Sequence, residues 1–306
     1  MLALTYSMGA GILNPDRADI VLDVRMLMGK RALPMRGTSE NTVEKKRTFS
    51  FGKNWQRFLK SISQERLRNA ERSLTEFLEM DDMRGMRFLD IGCGSGIFSY
   101  AAFHLGAKEI VSFDLDRMSV ECCKFWRRKA GNPDNWKVCE GSILDGGFLR
   151  SLGKFDIVYS WGVLHHTGDM WRAIRNSAML VDDDGYYYIA IYNKVEGFMG
   201  SEFWLRIKRL YNSSGAIRKC AIEAIYIAVH FATSVLRLRN PIKKRPRDMS
   251  WRTDITDWLG GYPYEFATVE EVFAFMKKAF PDFRLVNIKT RNGLENNWYL
   301  FKRDVS

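Results

Sequence analysis

The 306-residue sequence predicts an α/β protein with a doubly wound, mostly parallel sheet. Three observations carry this. Short apolar runs alternate with helix-length amphipathic segments between about residues 86 and 193; the first run ends on a glycine-rich turn; the second ends on a carboxylate, Asp114. Strands that alternate with helices call for right-handed crossovers and therefore for parallel pairing.

Each element follows in order. The stretch FGKNWQRFLKSISQERLRNAERSLTEFLEM places Phe58, Ile62, Leu67, Leu74, Phe77 and Leu78 at helical spacing, so one or two amphipathic helices precede the sheet. MRFLDIG reads as a buried strand and IFSYAAFHLGA as a helix closed by Gly106. EIVSFDLD is a second strand, MSVECCKFWRRKA a second helix, and NWKVCEG and FDIVYSW are further strands. MWRAIRNSAML is a helix before the strand GYYYIAIYN. After an interruption, ATVEEVFAFMKKAF reads as a helix, and FRLVNIKT and NNWYLFKR as a terminal antiparallel hairpin.

An apolar share of 46% suffices for a sizeable core and argues against global disorder. Lys and Arg number 47 against 36 Asp and Glu, a net +11 that suits an anionic partner such as nucleic acid, a phosphorylated metabolite or a membrane surface. Cys93, Cys122, Cys123, Cys139 and Cys220 form no CxxC pair, and only four histidines accompany them. Reduced thiols in a cytoplasmic enzyme, with no structural metal, are the expectation. The first residues lack a basic stretch before their apolar run, a poor fit to a cleaved signal. Residues 1–48 show no sustained period and read as a loosely ordered arm.

Asp90-Ile91-Gly92-Cys93-Gly94-Ser95-Gly96 lies between a predicted strand and a predicted helix. Bare backbone there allows a ligand close approach, and the helix start offers unpaired N–H groups. A nicotinamide fingerprint needs glycine at the sixth position of G-x-G-x-x-G; counted from Gly92, that position is Ile97, which weakens the dinucleotide reading. Asp114 follows Gly92 by 22 residues, where an acid can accept both hydroxyls of a ribose. The competing roles are a plain tight turn and a capping carboxylate.

FLDIGCGSGIFS closely resembles the first motif of class I S-adenosylmethionine-dependent methyltransferases. VSFDLD is similar to their second-strand acidic motif, CEGSILD to the loop that meets adenine, and FDIVYSWGVLHHTGDMW to the fourth-strand motif. The resemblance covers about residues 49–303, most of the basic insertion excepted. It implies a seven-stranded sheet with a terminal antiparallel hairpin, and S-adenosylmethionine as methyl donor. Residues 49–306 would form the methyltransferase domain, with N-terminal helices and a helical insertion or lid at about 194–265. Asp90, Gly92, Cys93, Gly94 and Gly96 would make the donor turn, with the methionine part against the glycines. Asp114 would take the ribose with Leu115 beside it, Ser142 and Ile143 would lie near adenine, and Trp161 would border the donor. Ser142 stands where the family often has an acid, so backbone groups or Asp145 would serve there. Core packing competes as the role of Trp161.

Methyl transfer from a sulfonium is an in-line displacement, so the protein chiefly aligns the acceptor and excludes water. A hydroxyl acceptor must also lose a proton, and a histidine can take it near neutral pH. His165 and His166 follow the fourth predicted strand at the carboxyl edge of the sheet. His165 is the candidate base and His166 is read as structural. Tyr192, at the end of the fifth strand, is a candidate to orient the acceptor. DWLGGYPYEFAT is similar to a run in poorly characterised bacterial methyltransferases; Tyr262 and Tyr264 within it are candidate acceptor contacts on a lid, with a rigid turn as the alternative. Phe51 or Trp55 would cover the donor, or pack a helix.

Residues 194–252 carry 13 basic and 4 acidic residues. Residues 220–236 are apolar apart from Glu223, His230, Thr233 and Ser234, and RLRNPIKKRPR follows. Seventeen residues with a central Glu make a poor membrane span. A lid helix is preferred, and peripheral membrane contact through residues 220–247 is the sharper alternative. RNA phosphates could also meet these charges, although no aromatic-interleaved motif accompanies them. The expected activity is methyl transfer to oxygen of a small-molecule or lipid-linked acceptor. The alternatives are an RNA methyltransferase that docks through the insertion, and a non-catalytic protein that retains the donor pocket.

Overall fold

Apolar runs with no polar alternation must be covered on both faces, and the inner strands of this chain are, while the strands Trp136–Glu140 and Phe283–Lys289 are only partly covered. The structure is a computed structural model that describes residues 64–236 and 251–304, without the side chains of 234–236 and 251–254. The N-terminal arm, the segment with Phe51 and Trp55, and the KKRPR run lie outside the described residues.

Seven strands form one sheet: β1 (Arg87–Ile91), β2 (Glu109–Asp114), β3 (Trp136–Glu140), β4 (Phe155–Trp161), β5 (Val181–Tyr192), β6 (Phe283–Lys289) and β7 (Asn296–Arg303). Their order is β3-β2-β1-β4-β5-β7-β6. The first five are mutually parallel, and β7 runs antiparallel to both β5 and β6. The predicted doubly wound sheet with its terminal hairpin is therefore the observed one. The strand order reverses direction at β1 and β4, which places their carboxyl ends on either side of the crevice where such sheets bind ligands.

Period-two geometry splits the core between two faces. Phe88, Ile110, Ile157, Tyr159 and Tyr188 pack with α1 (Gln64–Leu78), α2 (Ile97–His104) and α3 (Arg117–Lys129). Leu89, Val111, Phe113, Val158, Tyr187 and Ile189 pack with α5 (Met170–Ala178) and α9 (Val269–Ala279) on the other. The short α4 (Gly146–Arg150) is begun by Asp145, whose carboxylate accepts the N–H groups of Gly147 and Phe148. β5 starts at Val181, four residues before the predicted run, because Val181 pairs with Phe155 ahead of an irregularity in the ladder.

The segment between β5 and β6 adds a cap. It contains α6 (Ser201–Ser213), α7 (Ala216–Leu236) and α8 (Trp251–Gly260). The hydroxyls of Ser213 and Ser214 both donate to the carbonyl of Leu210, which ends α6 where side chains compete with the helical ladder. Trp204, Tyr211, Ile255, Trp258, Leu259 and Tyr264 make a third core beneath this cap. The Glu223 carboxylate, the one acid in the apolar run, accepts the Tyr211 hydroxyl at 2.5 Å. The other face of α7 is open to solvent, with Ile217 88% and Ile225 58% exposed. Among the described residues no helix is long and apolar enough to cross a membrane.

Candidate functional site

The glycine turn follows β1 and is fastened to β2. The N–H groups of Gly92 and Cys93 both donate to the carbonyl of Phe113, at 2.8 and 3.0 Å, and that of Gly96 donates to Cys93. Gly92 and Gly96 have φ of +69° and +78°. A Cβ on Gly92 would lie 2.4 Å from Val163, and one on Gly96 2.6 Å from the Cα of Cys123. Packing within the chain alone thus demands glycine at both positions. The outward donors belong to the start of α2, whose N-cap Gly96 supplies no side-chain cap.

Asp114 closes β2 and faces this turn. One carboxylate oxygen accepts Gly94 N–H at 3.0 Å and the other accepts Asp116 N–H at 2.8 Å. Burial pushes its pKa up to about 6, with the two backbone donors opposing the rise, so the group is ionised at neutral pH. Each oxygen retains a lone pair for a further donor. The Ser95 hydroxyl, inside the turn, is buried and has no partner among the described residues. A pinned carboxylate beside an orphaned hydroxyl and an uncapped helix start fits a ligand with both hydroxyls and a charged end. The adenosyl donor implied by the sequence is such a ligand.

The other candidate residues fall into two groups. Leu115, next to Asp114, is 70% exposed and leaves an apolar surface at the crevice. Ser142 accepts the N–H of Leu144, while Ile143 is buried and its carbonyl takes the Asn176 amide. Cys93 is buried against Cys123, which drives its thiol pKa well up. Asp90 turns inward: it accepts the Ser99 hydroxyl at 2.5 Å, Ser99 meets the Ser112 hydroxyl at 2.7 Å, and Trp136 Nε1 donates to Ser112. This chain ties β1, α2, β2 and β3 together beneath the turn, and burial lifts the Asp90 pKa to about 6. Trp161 packs edge-on against Trp298 with ring centres 5.7 Å apart.

The histidines and the cap converge at the carboxyl ends of β4 and β5. His165 and His166 lie in a single 3-10 turn, Leu164–His166. His165 Nδ1 accepts Tyr192 N–H at 3.2 Å, and the two rings lie 4.0 Å apart. The segment 262–267 is laced to this turn: His166 Nδ1 meets Pro263 O, Glu265 N–H donates to His165 O, and both Glu265 carboxylate oxygens accept Met170 N–H. Tyr262 and Tyr264 are consequently buried against the turn, 6% and 2% exposed, rather than displayed on an open flap. Tyr264 packs 5.0 Å from Tyr192.

Sequence reasoning missed Lys208. It is 1% exposed, and its ammonium donates to the carbonyl of Trp258 while lying over the rings of Trp258, at 4.0 Å, and Tyr264, at 4.8 Å. Burial brings its pKa down to about 7, against a partial upward pull from Asp257. The signal was present: Trp204, Lys208 and Tyr211 share one helical stripe, where a lysine interrupts two aromatic core positions.

Comparison with known proteins agrees with this fold. Ubiquinone biosynthesis O-methyltransferase of Pelagibacter ubique is 29% identical over 129 residues, 40% of this chain and 51% of that protein. Ribosomal protein L11 methyltransferase of Streptococcus uberis is 30% identical over 97 residues, 32% of this chain and 31% of that protein. The chain thus spans about half or less of the length of these curated relatives. The crystal structure of magnesium protoporphyrin IX methyltransferase from Synechocystis PCC 6803 shares the fold, with a TM-score of 0.51 and 13% identity over 86% of this chain and 99% of that one. A family model described as a methyltransferase domain matches residues 82–250, more than half of the chain, from just before β1 to the residue before α8. The glycine turn, Asp114 and the histidine turn all fall inside that match, and the chain belongs to the methyltransferase domain family.

Proposed function

We propose that this S-adenosylmethionine-dependent methyltransferase acts on an oxygen of a small-molecule acceptor. S-adenosylmethionine supplies, when bound, an electrophilic methyl group on a sulfonium. In this reading Asp114 holds the ribose hydroxyls, and Gly92, Gly94, Ser95 and Gly96 with the start of α2 receive the methionine end. Leu115, Ser142 and Ile143 flank adenine, and Trp161 borders the donor. His165 and Tyr192 face the acceptor, framed by Tyr262 and Tyr264. The observation that carries the reading is the Asp114 carboxylate, pinned at the carboxyl edge of β2 by Gly94 N–H at 3.0 Å and still able to accept. The oxygen target is supported by the similarity to a protein named an O-methyltransferase.

Isotope-labelled donor incubated with the full chain and fractionated cell extract tests this. Label is expected in small solutes as a methoxy group, identified by carbon NMR; label in RNA or polypeptide would overturn the small-molecule acceptor, and N-methyl label would overturn oxygen.

A lipid-linked acceptor is the second reading, favoured by the exposed apolar face of α7. Side chains at Ile217, Ile225, Val229 and Phe231 are 88, 58, 47 and 50% exposed. A helix of this kind lies in the headgroup region rather than spanning the bilayer. The chain is expected to co-sediment with vesicles containing anionic phosphatidylglycerol, and the paired change Ile225→Asp with Val229→Asp to weaken this about tenfold or more. Equal sedimentation of wild type and variant removes the lipid reading.

A further inference from the structure

The two ring nitrogens of His165 are in unlike situations. Nδ1 accepts Tyr192 N–H at 3.2 Å. A nitrogen that accepts an N–H presents its lone pair, so the proton of the neutral ring resides on Nε2. Nε2 is buried and has no hydrogen-bond partner among the described residues. The ring itself is fully buried.

The surroundings keep the ring neutral. Burial drives its pKa well down, and His166 and Lys208 push the same way. His166 belongs to the same turn, with ring centres 4.6 Å apart, and burial lowers its own pKa to about 4. Lys208 comes from α6, and Asp257 of α8 acts on Lys208 and on Tyr192. The phenols of Tyr192 and Tyr264 are driven up by burial and stay protonated. Glu265, whose N–H donates to His165 O, directs its carboxylate to Met170 N–H.

A base at this position would need a bare Nε2, hence a proton on Nδ1, which would set two N–H donors against each other across 3.2 Å. We propose that His165 meets the acceptor as a fixed Nε2–H donor and not as a base, and that the acceptor binds as an oxyanion, the conjugate base of an acidic hydroxyl such as a phenol, an enol or a carboxylic acid. This rests on the oxygen-acceptor reading above and replaces the base role expected from the sequence. The chemistry then balances without a proton acceptor. The acceptor oxygen's lone pair makes the new C–O bond, the donor's C–S bond breaks with its electrons left on sulfur, and an ionised acceptor has no proton to lose. With the ring fully covered, acceptor entry requires the cap to move.

Two measurements test the proposal. Nitrogen-15 NMR of histidine-labelled full chain, assigned through His165→Gln, is expected to show His165 as the Nε2–H tautomer with no titration between about pH 5.5 and 8.5. An Nδ1–H tautomer, or titration near neutrality, overturns the donor role. 4-Nitrophenol, added with S-adenosylhomocysteine, reports its own ionisation by absorbance. Its apparent pKa is expected to fall by about one unit or more with wild type and with His165→Gln, which keeps an N–H donor, but not with His165→Phe. No ionisation in the presence of wild type, whether from neutral binding or none, overturns the oxyanion. Turnover should fall about 100-fold in His165→Phe and within about tenfold in His165→Gln; equal losses would restore the base. An Nε2–H ring found together with labelled nitrogen products would overturn the oxygen reading and the oxyanion with it, and leave the Nε2–H donor role standing.

Discussion

Asp114→Ala is expected to lower the affinity for S-adenosylmethionine by about 100-fold, read by titration calorimetry, with the circular dichroism spectrum retained. The size follows from the bonds removed. Hydrogen bonds to a charged group contribute about 1.5–3 kcal/mol each, and two ribose hydroxyls on one carboxylate, as proposed, would therefore account for about 3 kcal/mol, or two decades in Kd. The substitution also releases Gly94 N–H and Asp116 N–H, which the carboxylate holds at 3.0 and 2.8 Å. Asp114→Asn separates the two effects. An amide oxygen can keep one backbone donor and one ribose donor but lacks the charge, so a loss of about tenfold is expected. Unchanged affinity in Asp114→Ala would remove the ribose assignment. Equal losses in Ala and Asn would mean that the charge, rather than the pinned turn, dominates.

Asp114 was legible because everything that defines it is local. A short apolar strand must run out at the sheet edge, which puts a carboxylate at its end beside the ligand crevice. The glycine turn was legible for the same reason, and the strand–helix alternation gave the parallel sheet through chain connectivity alone. What the sequence withheld was side-chain direction. Asp90 and Asp114 both border the turn, yet one points into the Ser99–Ser112 chain and the other to Gly94. Asp145, considered for adenine, caps a five-residue helix that no periodicity announces. His165 was placed at the right edge, but its tautomer depends on Tyr192 N–H, 27 residues away in the chain. The aromatic run around Tyr262 and Tyr264 looked like a flap, because its anchoring to His165 and His166 spans about a hundred residues and leaves no local trace.

Lys208→Met is expected to remove a pH-dependent destabilisation that wild type carries, with the gap between the two proteins changing by about 2 kcal/mol between pH 7 and 9. The ordinary lysine pKa is 10.5, and burial brings Lys208 to about 7 in the folded chain. Between those two values the unfolded chain holds a proton that the folded chain has released, so unfolding takes up a proton. Stability then rises with pH by up to about 1.4 kcal/mol per unit. Below pH 7 both states are protonated, and wild type bears the full cost of a buried ammonium, offset only in part by the Trp258 carbonyl and the two aromatic faces. Methionine fills the same volume beneath Trp258 without a charge to bury. Other groups titrate over the same range, among them thiols and phenols, but they are common to both proteins and cancel in the difference. Denaturant midpoints at pH 6, 7.5 and 9 read the result. Met should be the more stable side chain at pH 6, and its advantage should shrink steadily toward pH 9. Parallel pH profiles would mean that Lys208 keeps its proton in the folded chain, held by Asp257 and the rings more strongly than burial opposes it.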